Sequence, residues 1–117
     1  MYKLIIVTAD ERGFLTGYTI HAERFRDIKA ILEEATTGPD DFDSDEDYEA
    51  FVANCGCIFG ELEAIDEDGT HYTDYAPCFG AENYAGHALF DNGELIELAA
   101  GASDTRFFLN EFYGIAV

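Results

Sequence analysis

The sequence predicts a single α+β domain over residues 1–117, built from a mostly antiparallel sheet and two or three helices. Its length of 117 residues is close to the commonest size of one domain. Apolar residues make up 48% and aromatic residues 15% of the chain, which is enough to build a core and is unlike disordered acidic chains. Strand-like and helix-like apolar patterns, separated by turn residues, follow one another without a repeat.

The first third of the chain predicts a hairpin followed by a helix. Residues 2–8 (YKLIIVT) form a continuous apolar run that indicates a strand, residues 9–13 a turn, and residues 14–20 a second strand. Residues 23–35 then carry apolar side chains at three- and four-residue spacings, the pattern of an amphipathic helix. The predicted apolar stripe of this helix consists of Phe25, Ile28, Ile31 and Leu32.

An acidic segment follows, and its middle predicts a second helix. Residues 36–39 (TTGP) stop the first helix. Ser44 is a good N-cap, and acids fill the positions after it, where the helix dipole favours negative charge. We expect Gly56 to end this helix and three of its apolar side chains to face the core. These are Tyr48, Phe51 and Val52.

The rest of the chain predicts two hairpins and a last helix. The first hairpin turn, residues 66–69, contains Asp-Gly, and the second, residues 91–93, contains Asn-Gly; both pairs are typical of tight turns. The strands are residues 57–65 and 71–75 around the first turn, and 88–90 and 94–98 around the second. Ser103 is expected to cap a helix that runs to about Phe112, with Gly114 beyond it.

Charge is the strongest signal in the sequence. The formal net charge is −19, from 25 Asp and Glu against six Lys and Arg. No Lys or Arg lies between Ala30 and Thr105, whereas twenty of the 25 acids do. Such a field repels DNA, RNA and anionic membranes, so we expect no direct binding to any of them. The expected partner is cationic: a basic protein, a polyamine or a metal ion.

The sequence also predicts a cytoplasmic protein. The apolar run near the N-terminus is too short for a signal sequence or a membrane span. The three cysteines are an odd number, which argues against a disulfide framework. We expect reduced thiols, as is usual in the cytosol.

The acidic segment matches a calcium-binding loop only in part. Asp41, Asp43 and Asp45 fit the first three ligand positions of an EF-hand. Glu46 stands where the glycine belongs, and Val52 where the bidentate glutamate belongs, so the EF-hand interpretation fails. Loose binding of divalent cations to clustered carboxylates stays open.

Other chemical motifs are missing. The spacing of Cys55, Cys57 and Cys78 relative to His71 and His87 fits no standard zinc pattern and no cysteine-enzyme signature. The sequence contains no phosphate-binding loop, dinucleotide fingerprint or serine elbow. We therefore predict no enzyme, no cofactor and no metal site.

Two acidic segments form the predicted partner-binding surface. Glu61 and Glu63 fit the spacing of about 6.6 Å between alternate residues on one strand face. Asp45 and Glu49 share a helix face, and the turn at residues 66–68 extends the row. The full set is Asp40, Asp41, Asp43, Asp45, Glu46, Asp47, Glu49, Glu61, Glu63, Asp66, Glu67 and Asp68.

In size, charge and α+β character the chain resembles the small bacterial DNA-mimic proteins. The resemblance is carried by DDFDSDEDYE (residues 40–49) and ELEAIDED (residues 61–68). Proteins of this class block DNA-binding proteins by imitating the phosphate backbone, and some target histone-like HU proteins, restriction enzymes or CRISPR complexes. Since DNA mimics share no common motif or fold, the resemblance rests on charge. It implies that the acidic surface occupies the DNA-binding site of a basic DNA-binding protein.

Three alternatives remain open at this point. An immunity or antitoxin protein that neutralises a basic nuclease toxin needs almost the same acidic surface. An ordinary domain with a halophilic surface would also be acidic and poor in Lys, although this explains less well why all bases but one precede residue 30. A small enzyme or metal binder is the third alternative.

Overall fold

A computed structural model describes residues 1–36, 43–47, 49–50, 62–74 and 83–116 of the protein. Within these residues, six strands form one antiparallel sheet. The strands are β1 (Tyr2–Ala9), β2 (Leu15–Ala22), β3 (Leu62–Asp66), β4 (His71–Asp74), β5 (Tyr84–Asp91) and β6 (Glu94–Ala99). Their spatial order is β4-β3-β2-β1-β5-β6. This confirms the predicted α+β class with an antiparallel sheet.

Helices accompany the sheet at three places in the described part of the chain. They are α1 (Phe25–Ala35), a short α2 that includes residues 45–47 and 49–50, and α3 (Ser103–Tyr113). The backbone N–H of Asp47 donates a 3.2 Å hydrogen bond to Ser44 Oγ. This confirms Ser44 as the N-cap of α2. The predicted core residues Tyr48, Phe51 and Val52, the stop at Gly56 and the strand start at residues 57–61 lie outside the described residues.

The central strand β1 explains the apolar run at the start of the sequence. Its residues Leu4, Ile5, Ile6 and Val7 are at most 1% exposed, because helices cover both faces of the sheet here. A strand buried on both faces needs apolar side chains at consecutive positions rather than at alternate ones. β1 pairs with β2 on one side and with β5 on the other.

The two faces of the sheet carry separate apolar clusters. On the α1 face, Leu4 and Ile6 of β1 pack with Ile28, Ile31 and other residues of α1 and the neighbouring strands. On the α3 face, Ile5 and Val7 pack with Phe108 and other residues around α3. We use the names "α1 face" and "α3 face" for these two sides of the sheet.

Two details of the predicted helices are wrong. Ala102, not Ser103, is the N-cap of α3, since the Ala102 carbonyl accepts the first helical hydrogen bond, from Arg106, and Ser103 already lies in the first turn. Phe25 does not belong to the buried stripe of α1. As the first residue of the helix it is 49% exposed, and its ring lies against that of Tyr2, with 5.7 Å between the centroids.

All three predicted hairpins form, and β5 is four residues longer at its start than predicted. The turns after Asp66 and Asp91 separate the paired strands β3–β4 and β5–β6. β5 begins at Tyr84 rather than at residue 88. Gly86 interrupts the apolar pattern of this strand, and glycine in a strand marks a close backbone approach. A Cβ on Gly86 would collide with the carbonyl oxygen of Ala99 in β6.

Candidate partner-binding surface

The first acidic segment surrounds the start of α2. Asp43, Asp45, Glu46, Asp47 and Glu49 are all exposed. The Ser44 cap places three of these carboxylates in the first helical turn, where the helix dipole stabilises negative charge. Asp40 and Asp41 lie outside the described residues.

The second acidic segment ends in the β3–β4 turn, and part of its charge is used to build that turn. Asp66 Oδ1 accepts hydrogen bonds from the backbone N–H groups of Asp68 and Thr70, both at 3.0 Å. Glu67 Oε1 accepts one from the N–H of Leu15 at 2.9 Å and thereby ties the turn to the start of β2. Glu67 and Asp68 are exposed, whereas Asp66 is half-buried.

The predicted row of carboxylates along this segment is divided between two faces. Glu63 pairs with Thr19 of β2 and lies on the α3 face of the sheet. Asp66 pairs with Thr16 and lies on the α1 face. Side chains three residues apart on a strand point to opposite sides. Glu61, the predicted neighbour of Glu63, lies outside the described residues.

The described carboxylates of the two segments form no ion pair with Lys or Arg. In the part of the chain that the structure describes, the only salt-bridge contact joins His87 to Glu97, and it is an ion pair only when the imidazole is protonated. Arg12 lines the same cleft of about 420 Å³ as Glu67 and Asp68, but it forms no salt bridge with them. Lys3 instead lies over the Phe90 ring, with its Nζ 4.6 Å from the centroid. The negative charge of these segments is therefore not neutralised by the described basic side chains.

The structure adds two carboxylates that the sequence analysis missed. Asp104 and Glu111 of α3 line a cavity of about 340 Å³ together with Glu67. The ring of Phe107, which is 68% exposed, lines the same cavity. Residues seven apart lie on one face of a helix, so the spacing of Asp104 and Glu111 was a usable signal. Their proximity to Glu67 depends on tertiary structure. The acidic surface thus extends from the β3–β4 turn onto α3.

A hydrogen-bonded chain of three side chains joins β5 to β6. Tyr84 Oη lies 2.5 Å from Nδ1 of the buried His87, and Nε2 of His87 lies 2.9 Å from Glu97 Oε2. Burial, and then the charge of Glu97, raise the pKa of Tyr84, so its hydroxyl keeps the proton. Both ring nitrogens of His87 therefore have a partner: the Tyr84 hydroxyl at Nδ1 and the Glu97 carboxylate at Nε2.

The groups considered for metal binding do not come together in the described part of the chain. His87 uses both ring nitrogens in the chain just described, and His71 lies exposed on β4. No group of three or more His, Cys, Asp or Glu side chains among the described residues has a geometry that could hold a metal ion. Cys55, Cys57 and Cys78 lie outside these residues.

Comparisons of the chain with protein-family models, with curated proteins and with solved structures gave no match. No residue role is therefore transferred from another protein. Among the described residues, no helix is both long enough and apolar enough to cross a bilayer.

Proposed function

We propose that this protein is a DNA mimic: its acidic surface occupies the DNA-binding site of a basic, cytoplasmic DNA-binding protein. It acts by binding and not by catalysis. One observation carries the proposal. The described carboxylates of residues 43–49, together with Glu67 and Asp68, are exposed and form no salt bridge with Lys or Arg.

The energetics of such a surface favour a cationic partner. Two carboxylates about 7 Å apart repel each other by about 0.6 kcal/mol in water before screening. At physiological salt the screening length is about 8 Å, so neighbouring carboxylates still interact. The protein has 25 Asp and Glu against six Lys and Arg, so most of its carboxylates cannot be paired with a base of their own. A partner that brings Lys and Arg side chains removes this repulsion, as it would on the phosphates of DNA.

The acidic cavity at α3 supplies a second element of recognition. Phe107 offers an exposed ring beside Glu67, Asp104 and Glu111. A guanidinium group can stack on an aromatic ring while it pairs with a carboxylate. Basic DNA-binding proteins carry arginines for phosphate contacts, so the same arginines are suited to this cavity.

Charge reversal of the α2 segment tests the proposal. The test variant is Asp43→Lys/Asp45→Lys/Glu46→Lys, and a histone-like HU protein is the probe. We expect the unmodified protein to displace duplex DNA from HU, with an affinity that falls steeply with added salt. The test variant should lose this displacement by about a hundredfold or more, because each reversal replaces an attraction by a repulsion. Fluorescence anisotropy of labelled DNA measures it.

A matched control separates the acidic surface from net charge. The variant Glu11→Lys/Glu23→Lys/Asp27→Lys makes the same change in net charge at exposed positions before or within α1. It should displace DNA nearly as well as the unmodified protein. If both variants lose DNA displacement equally, binding depends on overall charge, and the α2 segment is not the binding surface. A tight one-to-one complex with a single nuclease, and no displacement of DNA from HU, would also overturn DNA mimicry.

A further inference from the structure

The edge strand β6 has the properties of an open docking site. It pairs with β5 only, and no backbone hydrogen bond joins β6 to any other part of the described chain. The N–H and C=O groups on its outer side are therefore available to a further strand.

The side chains of β6 are unusually apolar for such an edge. Leu95, Ile96 and Leu98 are 37%, 49% and 37% exposed. Natural sheets protect their edges with charged side chains, Pro, bulges or very short strands. β6 contains Glu94, Glu97 and a bulge but no Lys or Pro, so its protection is acidic and its leucines stay exposed. The ladder between β5 and β6 shifts register at Ile96, which leaves this side chain without a cross-strand partner on β5.

The two sides of β6 differ in chemistry. Leu95 pairs with Phe90, and Leu98 pairs with Ala88, so both leucines lie on the α3 face. Glu97 pairs with Leu89 and lies on the α1 face. Glu94 pairs with Asp91 on that same face. One side of the edge is apolar and the other is acidic.

Charge complementarity decides which partner fits. A second copy of this chain would bring its own Glu94 and Glu97 and a further net charge of −19 to the edge. Like charges placed opposite each other on paired strands are destabilising. A strand with basic side chains on one face would instead complement the carboxylates of Asp91, Glu94 and Glu97.

We propose that β6 binds an extended segment of a partner protein in which basic and apolar residues alternate. The segment adds a seventh strand to the sheet. Its basic side chains lie on the α1 face beside Glu94 and Glu97, and its apolar side chains cover Leu95 and Leu98. Alternate side chains of the added strand are about 6.6 Å apart. One short segment can therefore place basic side chains beside Glu94 and Glu97 and apolar side chains beside Leu95 and Leu98. This site is separate from the α2 segment and does not depend on DNA mimicry.

Three capped peptides test the site. The probe is an eight-residue peptide of alternating Lys and Val, and the comparisons are a block peptide of the same composition and an alternating Glu-Val peptide. Titration calorimetry measures affinity, and hydrogen exchange locates binding on the chain. We expect the Lys-Val peptide to bind at least about tenfold more tightly than the block peptide and to slow exchange of the β6 amides. The Glu-Val peptide should not bind.

Matched variants complete the test. Leu98→Lys should weaken binding of the Lys-Val peptide by about tenfold, whereas Thr73→Lys, which changes the charge equally at an exposed position of β4 on the opposite edge of the sheet, should leave it within about twofold. Glu94→Lys, at an exposed position, provides a second β6 variant if Leu98→Lys does not fold. The α2 charge-reversal variant should keep its affinity for the peptide.

Several results would overturn the proposal. Equal affinity for the alternating and block peptides would show that binding depends on peptide charge and not on strand pairing with β6. Slowed exchange elsewhere than in β6 would place the site on another surface. A dimer in sedimentation experiments that the Leu98→Lys substitution dissociates would identify a second copy of the chain as the occupant.

Discussion

The two faces of the sheet are packed in different ways. On the α1 face the buried contacts are mainly aliphatic, with Ile28 and Ile31 of α1 lying over Leu4 and Ile6 of β1. On the α3 face aliphatic side chains also dominate, but three rings of α3 pack against one another among them. The centroid of the Phe108 ring lies 4.9 Å from that of Phe112 and 6.1 Å from that of Tyr113.

The rings on the α3 face also pack against the backbone of a strand. A Cβ on Gly17 of β2 would lie 2.9 Å from Tyr113 Cε2 and 3.0 Å from Phe108 Cε1. Distances this short require the Tyr113 ring, or the helix that carries it, to shift. Aliphatic side chains can repack around a change in volume, whereas rings that lie on a bare backbone have little room to do so. We therefore expect the α3 face to tolerate substitution less well than the α1 face.

Removal of the central ring should have the largest effect. Phe108 is 2% exposed and packs against the rings of Phe112 and Tyr113, so Phe108→Ala should lower the free energy of unfolding by about 3–5 kcal/mol. Urea denaturation followed by circular dichroism measures this loss. The adjacent Phe107 is 68% exposed, and Phe107→Ala should change stability by less than about 0.5 kcal/mol. Similar losses in the two variants would contradict the described packing of α3.

Addition of a single methyl group should have the next largest effect. Gly17→Ala forces the Tyr113 ring away from β2 and should cost about 1–3 kcal/mol of unfolding free energy. A Cβ on Gly101 has no atom within 4 Å, so Gly101→Ala should be neutral or stabilise the protein by up to about 1 kcal/mol. A neutral Gly17→Ala variant would show that α3 does not rest on the backbone of β2.

Alkaline pH should give the smallest effect of the three. The pKa of Tyr113 is raised to about 12, mainly by burial; a hydrogen bond with Thr19 lowers it, and the charge of Glu63 adds to the increase. An unfolded tyrosine ionises near pH 10. The stability that depends on protonated Tyr113 is therefore complete below pH 10 and is lost as pH rises towards 12.

The variant Tyr113→Phe should remove this part of the alkaline loss. Between pH 10 and 12 its free energy of unfolding should fall by about 1–2 kcal/mol less than that of the unmodified protein, allowing for partial solvent exposure. Burial, followed by the charges of Tyr72 and Asp74, also raises the pKa of Tyr18 on the α1 face. Tyr18→Phe should therefore also reduce the loss of unfolding free energy above pH 10. If the free energy of unfolding falls equally with pH in the unmodified protein and both variants, neither tyrosine contributes to the alkaline loss of stability.

Local patterns were sufficient to predict most elements of the fold. The apolar run of β1, the spacing of Ile28 and Ile31, and the Asp-Gly and Asn-Gly turns each reflect interactions between neighbours in sequence. Gly69, Asn92 and Gly93 have φ values of +81°, +51° and +89°, as tight turns require. Strand order was not predictable, because β1 pairs with both β2 and the distant β5 and no local pattern specifies that pairing.

The candidate surface was predictable only where charge alone determines the outcome. Exposure of Asp43 to Asp47 follows from the cost of burying carboxylates. The prediction of a continuous row placed Glu63 and Asp66 on the same face. In the structure they lie on opposite faces, and the Asp66 carboxylate accepts hydrogen bonds from the backbone of its own turn. The proximity of Glu67 to Asp104 depends on how α3 packs against the sheet.

The place of β1 in the sheet affects how the protein is made. Because translation starts at the N-terminus, β1 and β2 leave the ribosome well before β5, which begins at Tyr84. Until then, one edge of a strand that contains LIIV has no partner, and such edges are prone to aggregation. The nascent chain therefore passes through an interval in which ribosome pausing or a shortage of chaperones would lower the yield of folded molecules without altering the finished protein.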